Sequence, residues 1–339
     1  MKARRSVIPV FVPHLGCPNA CVFCNQKRIS GNEKPSEASD VHSCIIKAKE
    51  KLSPGTKAEL AFYGGSFTAI PMEQQTALLE AARTYVDEGF ISEIRVSTRP
   101  DGIDDQGLRL LKNYSVKTIE LGAQSMDAQV LKLSGRGHSP EDTRQASKLI
   151  RKHGFRLILQ MMTGLPGDSW EKSIYTAKKL AELKPDGIRI YPTVILKDTA
   201  LYEMWRCGVY KEHSVEDAIK LCAELFLIFE SERIPVIRLG LNPTDELSGG
   251  DAVAGAYHPA LGELVYSEIM LRRARELLRE TGTGKRVLLG VHSSRVSAMA
   301  GHKRRNIKIL TEEFALESIR IKSIDTEPGN IELLSPNNI

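Results

Sequence analysis

His14-Leu-Gly-Cys17-Pro-Asn-Ala-Cys21-Val-Phe-Cys24 comes directly after a short apolar segment, Val7–Val12. Three cysteines at CxxxCxxC spacing in one loop can bind three corners of an iron–sulfur cube, which leaves the fourth iron without a protein ligand. Structural zinc sites usually have four protein ligands, and His14 is a candidate for the fourth. The spacing by itself therefore favours a [4Fe–4S] cluster on Cys17, Cys21 and Cys24 and leaves zinc open.

Apolar runs of strand length alternate with amphipathic segments of helical period over roughly the first two hundred residues. Helix-start signals fall between these runs at Ser36, Pro71, Ser139 and Asp168. The alternation predicts an α/β protein with a parallel sheet, closed or partly closed like a barrel. In such folds the chemistry gathers in the loops after the carboxyl ends of the strands. The six strand candidates are Val7–Val12, Ala58–Tyr63, Ile91–Ser97, Thr118–Leu121, Arg156–Met162 and Gly187–Tyr191.

The remaining chain predicts a helical extension and a small C-terminal module. An apolar helix runs from Ser214 to about Ser231, and a strand follows at Val236–Leu239. We interpret the Gly- and Pro-rich stretch Gly240–Pro259 as a long ordered loop. We therefore divide the chain into a barrel (1–212), an extension with a long loop that closes the barrel (213–280) and a basic module (281–339).

A second motif, Phe62-Tyr63-Gly64-Gly65-Ser66-Phe67, lies at the end of the second predicted strand. Glycines there let the backbone adopt positive φ and approach a ligand closely. A Gly-Gly turn is weak evidence when it stands alone. Because it comes one βα unit after CxxxCxxC, it gains weight through a family resemblance, which argues for a cofactor and against zinc.

These two motifs resemble the radical SAM superfamily, whose members place a CxxxCxxC loop after the first strand of a partial (β/α)6 barrel. Other segments fall at the expected strand ends, and their order over about residues 5–212 is similar to that in the radical SAM domain of the Elongator catalytic subunit and its bacterial relatives. These segments are Ser97-Thr-Arg-Pro-Asp101, Glu120-Leu-Gly-Ala-Gln-Ser125, Gly135-Arg-Gly-His138, Met161-Met-Thr-Gly-Leu-Pro-Gly-Asp168 and Arg189-Ile-Tyr-Pro-Thr193.

The resemblance implies two cofactors, a [4Fe–4S] cluster and S-adenosylmethionine (SAM). SAM would chelate the open iron through its amino and carboxylate groups, and one-electron reduction would cleave it to a 5′-deoxyadenosyl radical. An external donor such as a flavodoxin or a ferredoxin would supply the electron. The substrate implied by the relatives is a base of tRNA.

The resemblance also assigns residues to the SAM site. Gly64, Gly65 and Ser66 would lie at the amino group, and Ser66 stands where the family often has Glu, so a carboxylate contact is absent or replaced. The ribose and carboxylate side would be formed by Thr98, Arg99 and Gln124, and the adenine side by Gly164, Leu165 and Phe23.

Alternatives stay open for several of these residues. Phe23 is equally well explained as a core aromatic, and Arg99 and Gln124 as salt-bridging or capping residues at the barrel mouth. We expect Glu120 to be a polar loop ligand and Asp168 to be a helix cap. Cys207 and Cys222 fall on predicted helices, and we interpret both as buried, unreactive thiols.

The departure from the Elongator subunit lies after the barrel. That subunit has an acetyltransferase domain, whereas the last ~120 residues here lack an acetyl-CoA-type glycine signature of the form Q/R-x-x-G-x-G/A. Acetyl transfer therefore cannot be carried over. The resemblance implies the cofactor chemistry and favours RNA as the substrate.

The C-terminal segment is basic. The whole chain has a net charge of +5, and Thr281–Lys322 contains nine Lys and Arg against three Glu. The order strand, helix, turn, helix, strand resembles the minimal unit of a KH domain, whose GxxG loop clamps single-stranded nucleic acid. Arg304 stands where the second Gly would be, so a solvated basic face is the alternative. The candidate RNA-binding residues are Gly301, Lys303, Arg304, Arg305 and Lys308.

Three functions therefore compete: a radical SAM enzyme on tRNA, a radical SAM enzyme on a small metabolite such as a tetrapyrrole, and a non-catalytic RNA-binding metal protein. The apolar run Val7–Val12 is too short for a signal peptide and contains Pro9. No stretch approaches the ~20 apolar residues of a membrane span. We expect a cytoplasmic protein with no membrane partner.

Overall fold

A computed structural model describes residues 6–12, 21–24, 36–53, 55–243, 247–282 and 284–335. Cys17 and His14 lie outside the described residues, so the predicted cysteine triad is described only at Cys21 and Cys24.

Each predicted strand is present, with its ends within three residues of the prediction, and three further short strands (Val194–Leu196, Ala252–Gly255 and Ile331–Leu334) were not predicted. The strands are β1 (Ser6–Val12), β2 (Ala58–Gly64), β3 (Ile91–Thr98), β4 (Val116–Gln124), β5 (Arg156–Thr163), β6 (Gly187–Pro192), β7 (Val194–Leu196), β8 (Val236–Leu239), β9 (Ala252–Gly255), β10 (Arg286–His292), β11 (Ser318–Ile324) and β12 (Ile331–Leu334).

The helices fall between the strands in the predicted alternation. They are α1 (Ala38–Lys51), α2 (Met72–Asp87), α3 (Asp105–Asn113), α4 (Ala128–Leu133), α5 (Pro140–Lys152), α6 (Trp170–Ala181), α7 (Ala200–Arg206), α8 (Val215–Ser231), α9 (Leu261–Thr281), α10 (Val296–Ala300) and α11 (Arg305–Glu313).

The main sheet has seven parallel strands in the order β1-β2-β3-β4-β5-β6-β8. Its outer face is apolar and packs on the helices; in β4, for example, Ile119 and Leu121 are fully buried in the core. The alternate residues of β4, Thr118 and Glu120, are polar and face the other side of the sheet, because side chains alternate along a strand. The predicted partial barrel with an α+β C-terminal module is confirmed, and its inner surface is polar.

Two local predictions were wrong. Asp168 does not cap α6; Ser169 does, through a hydrogen bond that its side chain accepts from the Lys172 amide. Ser36 precedes α1 as predicted; the cap residue is Glu37, and the Ser36 hydroxyl donates to the Phe11 carbonyl. The stretch Gly240–Pro259 is not loop throughout, since β9 within it pairs antiparallel with β7.

Helix α9 belongs to two hydrophobic cores. Its first half packs in the barrel core and its second half in the core of the C-terminal module. The guanidinium of Arg295 also stacks 3.7 Å from the centre of the Tyr266 ring on α9. The barrel-core residues of α9 are Leu261, Val265 and Ile269, and its module-core residues are Met270, Leu271, Ala274 and Leu278.

The C-terminal module has the predicted strand-helix-helix-strand order, followed by β12. Strand β10 lies in the centre, parallel to β11 and antiparallel to β12. The domain boundaries at 212 and 280 stay a prediction. Throughout the described chain, every helix is too short or too polar to cross a membrane.

Candidate functional site

The described part of the cysteine loop, residues 21–24, is anchored beyond the carboxyl end of β4. The Val22 amide donates to the Ser134 carbonyl (3.1 Å), and the Val22 carbonyl accepts from the Leu201 amide (2.8 Å). Arg136 Nη1 donates to Cys21 Sγ at 3.4 Å. These contacts hold Cys21 and Cys24 at the strand ends where the sequence placed the chemistry.

Gly64 lies at the end of β2, in a conformation that requires glycine. Its φ is +105°, and a Cβ added there would come within 2.6 Å of the Val12 carbonyl oxygen. The next amide, that of Gly65, donates to the same oxygen (2.9 Å). The Gly-Gly segment therefore runs directly alongside the end of β1, from which the cysteine loop departs.

Ser66, Thr98 and Arg99 form one buried group. The Ser66 and Thr98 hydroxyls share a hydrogen bond of 2.8 Å, and Ser66 Oγ also accepts from the Arg99 amide (3.2 Å). The Arg99 guanidinium forms a bidentate ion pair with Asp101 (2.8 and 2.9 Å). The Ser66 hydroxyl thus ties the β2 loop to the end of β3. Direct SAM contacts by these residues stay a prediction.

Gln124 ends β4 with a φ of +62°, which is uncommon for a residue other than glycine. It is 8% exposed, and its Oε1 has no hydrogen-bond partner among the described residues. Buried amide oxygens are rarely left without a donor, and left-handed non-glycine residues cluster at ligand sites. Gln124 is therefore suited to accept a hydrogen bond from a bound group.

Gly164 and Leu165 follow β5 and line a cavity of about 280 Å³ together with Tyr210 and His213. The Tyr210 hydroxyl donates to the Gly164 carbonyl (2.5 Å), and burial raises the pKa of Tyr210. A Cβ at Gly164 would lie 3.0 Å from the His213 ring. The turn is therefore enclosed by two aromatic rings.

Phe23 packs against the apolar cluster of Ile195, Leu201 and Tyr210. Tyr210 contacts both this cluster and the Gly164 turn, and a contact between Phe23 and adenine stays a prediction. Asp168 supports the same turn, because its Oδ2 accepts from the Gly164 amide (2.8 Å). Burial raises the pKa of Asp168.

The inner surface of the half-barrel contains a charged network that the sequence did not reveal. The Glu120 side chain is fully buried rather than in a loop, so that prediction was wrong. Its Oε1 accepts from Arg95 (2.5 Å) and Arg189 (2.7 Å). Arg95 is also bound bidentately by Glu59. Burial and the Glu120 charge raise the pKa of Tyr63, which accepts from Arg189, to about 12.

A period-two pattern could have identified this network. Arg95 and Ser97 alternate with apolar residues on β3, as Thr118 and Glu120 do on β4 and Arg189 and Tyr191 on β6. Polar residues at every second position of a strand with apolar neighbours indicate one polar face. That face was not inferred, because fully buried parallel strands usually have apolar residues on both faces.

His138, the last residue of the Gly135–His138 motif, is a buried histidine with a lowered pKa. It is 6% exposed, and its Nε2 lies 3.1 Å from the Ala123 carbonyl oxygen. Burial, and then the nearby charge of Arg136, lowers its pKa to about 4.

This depressed pKa predicts acid destabilisation. In the unfolded chain His138 is protonated below pH ~6.5, whereas in the folded chain it stays neutral down to about pH 4. The contribution of neutral His138 to the free energy of unfolding is therefore fully present above pH ~6.5 and is lost as the pH falls towards 4. We expect the free energy of unfolding to fall between pH 7 and 4.5 by about 2–3 kcal/mol more in the wild type than in His138→Gln. Urea denaturation of both proteins at both pH values measures this, and equal falls would contradict it.

The basic turn of the C-terminal module, Gly301–Arg305, has an unusual backbone. Lys303 and Arg304 have φ values of +49° and +61°, and both side chains are exposed. Gly301 is explained by packing, since a Cβ would lie 2.9 Å from Asn306. Within the part of the chain that the structure describes, neither Lys303, Arg304, Arg305 nor Lys308 forms an ion pair.

The described residues fit the two implied cofactors. Cys21 and Cys24 provide two thiols on one loop. Cys17 lies outside the described residues, and among those described no three metal-ligating side chains lie together. The free Oε1 of Gln124 and the close-packed Gly64 are features of a ligand cradle. They surround the same strand ends as the cysteine loop.

Comparison with known proteins agrees with this arrangement. A model of the radical SAM superfamily matches residues 11–180, and a model of the radical SAM C-terminal domain matches residues 185–270. The tRNA uridine(34) acetyltransferase of Methanocaldococcus jannaschii is 30% identical over 197 residues, which are 52% of this chain and 36% of that protein. This chain therefore matches only about a third of that relative.

Two further similarities extend over more of the chain. An uncharacterized protein of M. jannaschii is 29% identical over 287 residues, covering 81% of this chain and 85% of that protein. The structure of Methanocaldococcus infernus Elp3 with an N-terminal deletion has the same fold, with a TM-score of 0.61 and 24% identity over 82% of this chain and 63% of that chain. These matches confirm the resemblance inferred from the motifs.

Proposed function

The chain belongs to the radical SAM superfamily, and from that premise we propose that it is an enzyme that cleaves SAM at a [4Fe–4S] cluster in order to modify a base of tRNA. The observation that supports the chemistry best is the convergence of five strand ends. Cys21 and Cys24, Gly64, Ser66 with Thr98, Gln124, and the Gly164 turn all lie there, although they come from separate βα units.

When bound, the cluster and SAM supply a 5′-deoxyadenosyl radical after one-electron reduction by an external donor such as a flavodoxin or a ferredoxin. The chain's own residues bind, orient and exclude water. Gln124 offers an acceptor to the ribose or amino group, Phe23 and Tyr210 shield the adenine side, and Gly64 allows the backbone to approach. The polar inner surface around Glu120 and Arg189 offers hydrogen bonds to a polar substrate.

Two observations support RNA as the substrate. The relative that is 30% identical is named as an enzyme of tRNA uridine 34. The exposed cations Lys303, Arg304, Arg305 and Lys308 are free to contact phosphates. Acetyl transfer is not part of the proposal, because the match to that relative covers only 36% of its length.

The test is anaerobic reconstitution with iron and sulfide, followed by SAM, dithionite and bulk tRNA. We expect 5′-deoxyadenosine in every reaction that contains SAM and reductant, and a new mass among the digested tRNA nucleosides. Formation of 5′-deoxyadenosine with unchanged tRNA would support a small-metabolite substrate instead. Stoichiometric zinc with no SAM cleavage would leave a non-catalytic RNA-binding protein.

The basic turn yields a separate prediction. In Lys303→Gly/Arg304→Gly two exposed charges are lost, while glycine suits both left-handed conformations. We expect tRNA binding to weaken about tenfold or more at low salt, and the slope of log K against log salt to decrease by about 2. The melting temperature should be unchanged or higher, since glycine relieves the unfavourable backbone conformation at each position.

Lys148→Ala/Lys152→Ala is the matched control. It removes the same charge from exposed positions on α5 of the barrel. Filter binding and fluorescence anisotropy over a salt series compare the two variants. If the two double variants weaken tRNA binding equally, the basic turn has no specific role in binding, and its charges are exposed to solvent without contacting RNA.

A further inference from the structure

Arg136 lies in a tight turn immediately after α4, between two glycines with positive φ, Gly135 (+65°) and Gly137 (+75°). It is 7% exposed. Its side chain extends from this turn to Cys21, 115 positions earlier in the sequence. Its guanidinium therefore lies buried against a cysteine of the cluster motif.

Hydrogen bonds of the guanidinium and of the backbone carbonyl hold Arg136 in position. Nη1 donates to Cys21 Sγ (3.4 Å), and Nη2 donates to the Gly122 carbonyl (2.7 Å). The Arg136 carbonyl accepts from Arg99 Nη2 (2.5 Å). A Cβ at Gly122 would lie 3.2 Å from Arg136 Nη2, so glycine there leaves room for the guanidinium. The planar group is thus fixed at the carboxyl end of β4, with one edge towards the sulfur.

The same turn also holds the backbone of the cysteine loop, through the hydrogen bond from the Val22 amide to the Ser134 carbonyl. The loop and the guanidinium are therefore held at a constant separation. The charge of Arg136 acts on its surroundings, because it is the second cause, after burial, of the lowered pKa of His138.

We propose that Arg136 is the residue that tunes the reduction potential of the cluster. One-electron reduction adds negative charge to the iron, sulfide and thiolate atoms. An N–H···S bond to a ligating sulfur and a nearby positive charge both stabilise the reduced form. Arg136 therefore raises the potential and eases electron delivery before SAM is cleaved. The proposal depends on the cluster of the superfamily and not on an RNA substrate, so the two can fail separately.

The experiment is a potentiometric titration of the reconstituted 339-residue protein without SAM, followed by electron paramagnetic resonance of the reduced cluster. In Arg136→Gln we expect the equilibrium constant for reduction to fall about tenfold to a hundredfold, and each tenfold equals about 59 mV for one electron. Arg136→Lys keeps the charge but cannot bind Cys21 and Gly122 together, so its potential should lie in between. Arg144→Gln removes a charge that Glu141 pairs on α5, and its potential should match the wild type.

Two results would overturn the proposal. One is a potential equal to that of the wild type in every Arg136 variant that retains a cluster. The other is the failure of both Arg136 variants to assemble a cluster that Arg144→Gln assembles normally. Arg136 would then hold the loop in place without tuning the potential.

Discussion

Replacing Cys21 by alanine is expected to abolish SAM cleavage, with at least a ~10³-fold loss of 5′-deoxyadenosine formation. A cluster bound through three thiolates loses one of its protein ligands when Cys21 is removed. Alanine cannot bind iron in its place. Within the described residues no other cysteine lies in the same loop except Cys24. Iron and sulfide content, the resonance signal of the reduced cluster and the nucleoside yield measure the loss.

The matched control is Cys207→Ala. The sequence predicted a buried thiol there, and that was wrong, since Cys207 is exposed at the end of α7. The prediction was right for Cys222, whose burial raises its thiol pKa to about 12. We expect Cys207→Ala to retain full iron content and activity. Normal SAM cleavage by Cys21→Ala would refute the assignment of the cluster to this loop.

Glu120→Gln is expected to lower the free energy of unfolding of the cluster-free protein by about 3–5 kcal/mol, because it removes a buried carboxylate that lies between two largely buried guanidinium groups. The side chain of Glu120 is fully buried, whereas those of Arg95 and Arg189 are 13% and 16% exposed. Arg95 keeps its bidentate pair with Glu59. Arg189 keeps only neutral tyrosine hydroxyls among its described hydrogen-bond partners, so most of the cost arises there.

Glu203→Gln is the control for this prediction. Glu203 also pairs with an arginine, Arg206, but its side chain is 60% exposed. Exposed pairs contribute at most about 1 kcal/mol, so we expect little change. Urea denaturation of the three proteins under identical conditions compares them. A loss below about 1 kcal/mol in Glu120→Gln would mean that water reaches the inner surface and solvates the arginines.

Local signals explain why much of the barrel could be predicted. The β5 strand was placed within one residue because its apolar run has a clear length and boundaries. Ser139 with Pro140 marked the start of α5, and the structure has the full capping box there. Asp168 carried a similar signal and was misplaced by one position, because Ser169 is an equally good cap and Asp168 is drawn to the Gly164 amide.

The pairing of β7 with β9 shows where local signals end. The three residues Val194–Leu196 and the four residues Ala252–Gly255 are too short to be recognised as strands. Among the described strands each pairs with the other alone, and more than fifty residues separate them in sequence. A pairing between such distant short segments depends on how the rest of the chain has folded.

The sequence by itself determined the parallel α/β sheet, the positions of most of its strands along the chain and the loop that carries the cysteines. Those features depend on hydrophobic periodicity, caps and spacing, which act between near neighbours. Only the tertiary structure decided that Arg136 reaches Cys21, that Glu120 lies between Arg95 and Arg189, and that Lys303 and Arg304 are exposed without ion pairs in the described chain. These contacts join distant strands and turns, so they depend on register and on the burial of each charge.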